Sequence, residues 1–149
     1  MRKGQLAVCA EGRTKADIGR VWSLLADANR YAQWGPWSDG GYRPASPGPS
    51  KPGDVQWFRY GRRTVTVERI LEVEAPSKLV YSVIGGLPVK GYRAGISLLR
   101  LESGDTYIRW AASWDRTLMG LLIKAKLQRV YHEVMAALIR AAEGNDPGM

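Results

Sequence analysis

Residues 18–37 read IGRVWSLLADANRYAQWGPW, and this stretch decides how the rest of the chain is interpreted. Its apolar residues recur at the spacing of one helix face from Ile18 to Ala28. Thr14 is expected to cap this helix because a threonine hydroxyl accepts hydrogen bonds from free backbone N–H groups. A break near Asp27 and a stop at Gly35-Pro36 bound a second short helix. Two short helices are therefore predicted.

Strand-like segments lie on both sides of these helices. Residues Gln5 to Glu11 alternate in polarity and predict a first strand. The segments that predict later strands are 55–60, 63–74, 79–84, 92–102 and 106–115. The last element is predicted to be one long helix from Leu118 to Glu143, which residues 144–148 end. Its apolar stripe consists of Leu127, Val130, Tyr131, Val134, Leu138, Ala141 and Ala142.

Two connections are rich in glycine and proline. Residues 40–54 carry four prolines and four glycines, which predicts a loop. Residues 85–91 predict a flexible connection between two strands. Whether 40–53 or 85–91 forms a lid is left open at this point.

Length and composition exclude several classes of protein. The 149 residues fit one domain over residues 1–149, with an ordered part expected at about 4–143. The single Cys9 excludes an internal disulfide, and the single His132 leaves no cluster for zinc. No cofactor and no metal are predicted. No apolar run reaches the roughly 20 residues that cross a bilayer, so a cytoplasmic location is expected.

The net charge of +8 is spread along the chain, with an excess of four cations in each half. The only dense basic cluster is residues 59–63, which predict a turn between strands. A solvated basic surface is favoured over nucleic-acid binding, because binders usually concentrate charge on one face. Attraction to anionic lipid headgroups or to an acidic carrier protein stays open.

Three stretches together resemble one family. They are residues 18–37, quoted above, residues 73–81 (VEAPSKLVY) and residues 104–110 (GDTYIRW). They are similar to the polyketide cyclase/dehydratase and lipid-transport family of the START-like (SRPBCC) superfamily, over residues 5–143. The resemblance implies an α+β helix-grip fold, in which a curved seven-stranded antiparallel sheet surrounds a long C-terminal helix, with two short helices after the first strand. It also implies a cavity between sheet and helix, and lipids or aromatic, polyketide-like molecules as ligands.

Aromatic residues supply the first candidates for the wall of such a cavity. The chain has six tryptophans and seven tyrosines but one phenylalanine, and rings with a polar edge suit a ligand with both apolar and hydrogen-bonding parts. Trp110 and Trp114 share one face of a predicted strand, where they either line the cavity or pack in the core. The Tyr81 hydroxyl is a candidate donor to a ligand carbonyl or, alternatively, bonds to the backbone.

Basic residues on the strands are a second group of candidates. Arg69 interrupts an apolar alternation of odd-numbered residues, and an inward guanidinium would need a carboxylate or an anionic ligand. A bulge near residues 68–70 would instead turn Arg69 outward. Arg93, after the 85–91 connection, is a similar candidate at the mouth.

The long helix adds further candidates. Lys124 and Gln128 fall toward the flank of Tyr131 and Met135, which places polar groups at the edge of the expected cavity. The alternative for Lys124 is a side chain that reaches past apolar surface into solvent. His132 lies at the boundary of the apolar stripe, as a surface histidine or as an acid/base group.

The sequence therefore predicts a protein that binds a small hydrophobic or aromatic, lipid- or polyketide-like molecule between the sheet and the C-terminal helix. One alternative is a polyketide cyclase/dehydratase-like enzyme in which Tyr81, Arg69 or His132 transfers protons. No nucleophile–base–orienter set is recognisable, so hydrolysis by a triad is not expected. Another alternative is a protein-interaction domain whose basic surface binds an acidic partner, the cavity being vestigial. A homodimer is left open.

Overall fold

The computed structural model describes residues 4–145. Its strands are β1 (Gln5–Thr14), β2 (Trp37–Tyr42), β3 (Val55–Tyr60), β4 (Thr64–Glu74), β5 (Lys78–Gly85), β6 (Arg93–Arg100) and β7 (Thr106–Asp115). Its helices are α1 (Ile18–Leu25), a short 3-10 helix (Ala28–Arg30), α2 (Tyr31–Trp34) and α3 (Leu118–Arg140). One π-helical turn (Ala141–Asn145) follows α3. Of the residues predicted to end the helix, 146–148 lie outside the described part.

The seven strands form one antiparallel sheet in the order β1-β7-β6-β5-β4-β3-β2. Every neighbouring pair is antiparallel, and α3 packs against the sheet. Both short helices follow β1. The α+β helix-grip fold expected from the sequence is thereby confirmed. No helix within residues 4–145 is long and apolar enough to cross a bilayer.

The cap of α1 differs from the prediction. Asp17 is the N-cap, and its carboxylate accepts a 2.9 Å hydrogen bond from the Gly19 backbone N–H. Thr14 instead ends β1, which extends three residues further than predicted. The Thr14 hydroxyl donates to the Glu143 carboxylate at 2.7 Å. The Thr14 hydroxyl, which the local sequence pattern predicted to cap α1, therefore makes a long-range hydrogen bond instead.

Strand β2 includes residues 40–42, which the glycine content had assigned to a loop. Gly40 pairs with Phe58 of β3, and a Cβ at Gly40 would lie 2.6 Å from the Phe58 ring. The glycine is required there because the neighbouring ring occupies the space of a side chain. The pairing with β3 thus overrides the low strand propensity of this segment.

Side-chain contacts fix α3 on the edge strand β1 and on its neighbour β7. The Gln128 side-chain amide donates to the Cys9 carbonyl at 2.7 Å and accepts from the Cys9 backbone N–H at 3.2 Å. Gly12 leaves room for the helix, since a Cβ there would lie 2.6 Å from Ile139 Cδ1 and 3.0 Å from Met135 Sδ. At the start of α3, the Trp114 indole N–H donates to the Gly120 carbonyl at 3.1 Å.

Replacing Asp17 by alanine is expected to lower the free energy of unfolding by about 1 kcal/mol, because the Gly19 N–H loses its acceptor. Asp17→Asn is the matched control, since an asparagine side chain also caps, and it is expected to keep most of the stability. Urea denaturation followed by circular dichroism measures both variants. Equal losses in the two variants would contradict the assignment of Asp17 as the cap.

Candidate ligand cavity

A cavity of about 290 Å³ lies between the inner face of the sheet and the middle of α3. This volume is near the lower end of the roughly 300–1,000 Å³ usual for small-molecule sites. Apolar and aromatic side chains form most of its wall. Its lining includes Glu68, Tyr81, Tyr92, Trp110, Lys126 and Tyr131.

The register of β4 brings hydrogen-bonding side chains into this cavity. Thr64, Thr66 and Glu68 line it, and Ile70, two residues further on, is buried in the core. On the β5 side, the pairing register shifts between residues 67 and 68 and between residues 70 and 72. The even-numbered residues therefore face inward, and the apolar odd-numbered residues Val65 and Val67 lie on the opposite face.

Glu68 is a buried carboxyl group in the cavity wall, only 8% exposed. The side-chain amide of Gln56, on neighbouring β3, donates to Glu68 Oε1 at 2.8 Å. Burial raises the pKa of Glu68 to about 7, although the bond from Gln56 acts in the opposite direction. This carboxyl group therefore gains or loses its proton near neutral pH.

Three buried tyrosines lie beside Glu68 in the same cavity. The Tyr92 and Tyr131 hydroxyls are hydrogen-bonded to each other, and the Trp110 indole N–H donates to the Tyr81 hydroxyl at 3.1 Å. Burial raises the pKa of all three tyrosines well above its usual value, and the charge of Glu68 raises each further. Their hydroxyls stay protonated at neutral pH and form a connected set of donors and acceptors.

The lining residues that are exposed to solvent show where the cavity opens. Gly86 and Pro88, in the β5–β6 connection, and Lys126, on α3, are exposed to solvent and also line the cavity. Leu87 lies between the two connection residues and is partly buried against the core. The 85–91 connection thus forms one side of the entrance.

The other glycine- and proline-rich segment is fastened elsewhere. The Ser50 N–H donates to the Ala26 carbonyl at 2.7 Å, and the Gly53 N–H donates to the Ile70 carbonyl at 2.8 Å. The Asn29 side-chain amide donates to the Ser46 carbonyl at 2.8 Å. Because none of residues 43–54 lines the cavity, this segment covers the short helices rather than the entrance.

Of the ligand-site residues predicted from sequence, Trp110, Tyr81 and Tyr131 line the cavity. Trp114 does not. It is fully buried, stacks on Tyr92 with 5.7 Å between ring centroids, and anchors the start of α3. Of the two roles considered for Trp114, the structure places it in core packing.

The predicted charged residues lie outside the cavity wall. Arg69 is exposed, as the bulge alternative proposed. Arg93 is exposed and forms a 2.9 Å ion pair with Glu72. Lys124 and His132 are exposed on α3, and the His132 ring contacts the Gln128 amide at 2.8 Å. The placement of Arg69 and His132 removes both from contact with a molecule inside the cavity.

Gln128 and Met135 also differ from their predicted position. Both belong to the face of α3 that packs on β1, where Gln128 bonds to Cys9 and Met135 packs over Gly12. A different face of the helix lines the cavity. It consists of Ile123, Lys126, Leu127, Val130, Tyr131 and Val134. The helix therefore has two packed faces, and Gln128 and Met135 lie on the one that packs on β1 rather than on the one that lines the cavity.

Sequence reasoning missed Glu68 and Tyr92. The apolar alternation of β4 indicated that the odd-numbered residues face inward, whereas Val65 and Val67 lie on the face away from the cavity. The signal that was present is the spacing Thr64, Thr66, Glu68, which puts three hydrogen-bonding side chains on one strand face directly before the buried Ile70.

Within residues 4–145, no group of three or more histidine, cysteine, aspartate or glutamate side chains is placed to hold a metal ion.

The fold and the cavity define the class of protein: a helix-grip protein with a partly polar interior site. The family model for polyketide cyclase / dehydrase and lipid transport matches residues 10–143. The chain therefore belongs to the polyketide cyclase / dehydrase and lipid-transport family. No curated protein sequence matches it significantly.

Solved structures share the fold at low sequence identity. A solution structure from Thermobifida fusca is 22% identical with a TM-score of 0.77, covering 93% of this chain and 94% of that one. The Aha1 dimer from Colwellia psychrerythraea is 15% identical with a TM-score of 0.76, covering 94% and 98%. DynU16, from the dynemicin biosynthetic locus, is 20% identical with a TM-score of 0.73, covering 95% of this chain and 48% of that one.

The raised pKa of Glu68 makes a prediction for stability. Between the usual pKa of 4.5 and about 7, the folded protein binds this proton more tightly than the unfolded chain. Stability is therefore expected to fall as pH rises through this window, by about 3 kcal/mol for the full shift. Glu68→Gln is expected to remove this part of the pH dependence and to raise stability at pH 8.

Urea denaturation from pH 4.5 to pH 8 measures the effect. Glu74→Gln is the control, because Glu74 is exposed at the end of the same strand. It is expected to keep the pH dependence of the parent protein. A Glu68→Gln profile parallel to the parent would contradict a buried, titrating Glu68.

Proposed function

We propose that the protein binds one small, mostly apolar molecule in the cavity, with a hydroxyl or carbonyl group of that molecule at the Glu68–tyrosine end. The observation that carries this proposal is a buried carboxyl group in the cavity wall. A buried carboxyl group is costly without partners, and among residues 4–145 Glu68 has one hydrogen-bond partner, Gln56. A polar group of a ligand would supply further bonds.

The distribution of side chains supports a ligand with two different ends. Buried hydrogen-bonding groups, on Glu68, Tyr81, Tyr92, Trp110 and Tyr131, are gathered at the interior end. Leu87, Ile123 and Leu127 form apolar wall nearer the mouth. Sites of this composition orient a ligand by its few polar atoms and gain affinity from its apolar body. Lipids and aromatic, polyketide-like compounds both meet this description.

Binding of N-phenyl-1-naphthylamine, a neutral aromatic fluorophore, tests this proposal. The parent protein is expected to bind one molecule with increased fluorescence and to gain thermal stability. Thr66→Phe places a ring inside the cavity and is expected to weaken binding by about tenfold or more, because that volume is no longer free.

Ser97→Phe is the matched control. It adds the same ring at an exposed position of β6 and is expected to leave binding unchanged. Equal binding by both variants would show that the fluorophore lies outside the cavity and would reject the proposal. Native mass spectrometry of protein purified without added ligand then identifies the natural occupant.

A second candidate function is a cyclase/dehydratase-like proton transfer. Glu68 favours it, because a carboxyl group with a pKa of about 7 accepts and returns protons efficiently at neutral pH. In this reaction the Glu68 carboxylate takes a proton from a carbon next to a ligand carbonyl. A tyrosine hydroxyl donates a hydrogen bond to the resulting enolate oxygen, and the proton then returns to carbon. Tyr81 remains a candidate for this role because it lines the cavity, whereas Arg69 and His132 do not.

Proton exchange at 2-tetralone in D₂O tests this reaction without knowledge of the natural substrate. The parent protein is expected to accelerate deuterium incorporation, with a rate that rises with pH up to about 7 as Glu68 ionises. NMR follows the exchange. Glu68→Gln is expected to abolish the acceleration and Tyr81→Phe to reduce it, while both variants still bind the ketone. Exchange that is unchanged in Glu68→Gln would exclude Glu68 as the base.

A further inference from the structure

Four large apolar side chains are exposed at the start of α3. They are Leu118, Met119, Leu121 and Leu122, and they form what we term the apolar patch. Leu118 is 74% exposed and Leu122 is 65% exposed. Positions 118, 121 and 122 lie on one side of the helix, since residues three and four apart are neighbours on a helix surface. Their exposure costs solvation free energy that a partner surface would recover.

The helix turn that carries the apolar patch is fixed in place by hydrogen bonds and close packing. The Thr117 hydroxyl caps the helix by accepting from the Gly120 N–H at 2.9 Å, and the Trp114 indole N–H donates to the Gly120 carbonyl. A Cβ at Gly120 would lie 2.8 Å from the Trp114 indole nitrogen. The buried side of this first turn is thus held on the core, which leaves the leucines facing solvent.

The patch lies beside the cavity mouth. Ile123, Lys126 and Leu127, which follow it directly on α3, line the cavity. The 85–91 connection forms one side of the entrance, and its Lys90 carbonyl accepts a 2.8 Å hydrogen bond from the Asp115 N–H just before α3. A surface that covered the patch would therefore also meet the entrance.

Exposed cations surround this end of the molecule. This basic rim consists of Arg62, Arg63, Lys90, Arg116, Lys124 and Lys126. The β3–β4 turn, which carries the two arginines of residues 61–63, belongs to the same end, because Tyr60 and Thr64 beside it line the cavity. The exposed acidic residues nearby are Asp115, Glu133 and Asp39, of which Asp39 is near Arg59 and Glu133 accepts from Tyr60. The rim therefore has a positive excess.

We propose that this end of the molecule docks on an anionic phospholipid bilayer, with the apolar patch inserted among the headgroups and acyl chains and the basic rim on the lipid phosphates. Protruding aliphatic residues flanked by cations are the arrangement that binds a membrane interface. The cavity mouth would then face the bilayer. An apolar ligand would pass between bilayer and cavity without crossing water.

Charge and shape favour a bilayer over a protein partner. In a symmetric dimer through the patch, Arg116, Lys124 and Lys126 of the two copies would approach one another, which is unfavourable. An acidic protein would match the charge. However, the four aliphatic side chains protrude from the helix, and a protein partner would need a matching hydrophobic pocket, whereas a bilayer accepts them without one.

Vesicle flotation tests the proposal with the full chain and no added ligand. The protein is expected to float with vesicles of phosphatidylglycerol and phosphatidylcholine, to bind phosphatidylcholine alone at least about tenfold less, and to be released by about 0.5 M salt. The double variants Leu118→Ser/Leu122→Ser and Arg116→Glu/Lys124→Glu are each expected to weaken binding by about tenfold or more.

Controls come from the opposite end of the sheet. Leu99 on β6 is 58% exposed, and Lys15 follows the end of β1, so Leu99→Ser and Lys15→Glu remove comparable groups away from the mouth. Both are expected to bind vesicles like the parent protein. The cavity variant Thr66→Phe is also expected to bind vesicles normally, because docking depends on the surface and not on cavity occupancy.

Three results would overturn the proposal. One is the absence of binding to anionic vesicles, and another is equal weakening in the patch variants and the controls. The third is a dimer in analytical ultracentrifugation that Leu118→Ser/Leu122→Ser converts to monomer without any vesicle binding, which would assign the patch to a second copy. Failure of ligand binding together with intact docking would reject only the proposed function.

Discussion

The paired hydrogen bonds between the Gln128 amide and the Cys9 backbone determine where the long helix lies. β1 is an edge strand, so its outer N–H and C=O groups need partners, and an exposed edge invites pairing with other chains. The side-chain amide of Gln128 makes the two hydrogen bonds to Cys9 that a neighbouring strand would otherwise make. With Gly12 admitting the helix closely, α3 is held at one margin of the curved sheet. The interior opposite β4 and β5 then has to be filled by side chains, a ligand or both.

That interior is polar at its buried end, which distinguishes it from an ordinary core. A close-packed apolar interior would be more stable than one with a carboxyl group and three tyrosine hydroxyls, since each polar group needs partners. Burial raises the pKa of Glu68 to about 7, so this carboxyl group is partly ionised near neutral pH. Such hydrogen-bonding groups suit a carrier protein, in which they orient a bound carbonyl group. They equally suit an enzyme, in which they stabilise the charge that develops on that group.

Much of the architecture was predictable from short-range patterns. Most of the apolar stripe of α3 and the inward face of β7 are buried as the periodicity indicated, and the three stretches that resemble the family gave the correct fold. The cavity side chains were less accessible to such reasoning. The register shifts between β4 and β5 and the two packed faces of α3 depend on distant strands, so local patterns did not single out Glu68 or the contact of Gln128 with β1.

The unequal anchoring of the two glycine- and proline-rich connections has a consequence for how such a protein diversifies. Residues 43–54 are tied to the short helices and to β4, so changes there would disturb the scaffold. The 85–91 connection adjoins the opening and carries Gly86, Leu87 and Pro88 into its wall. Insertions and deletions at this connection would alter the size of the cavity, while the hydrogen bonds of Gln128 to β1 would stay intact. Evolution and engineering can therefore reshape the cavity here at little cost in stability.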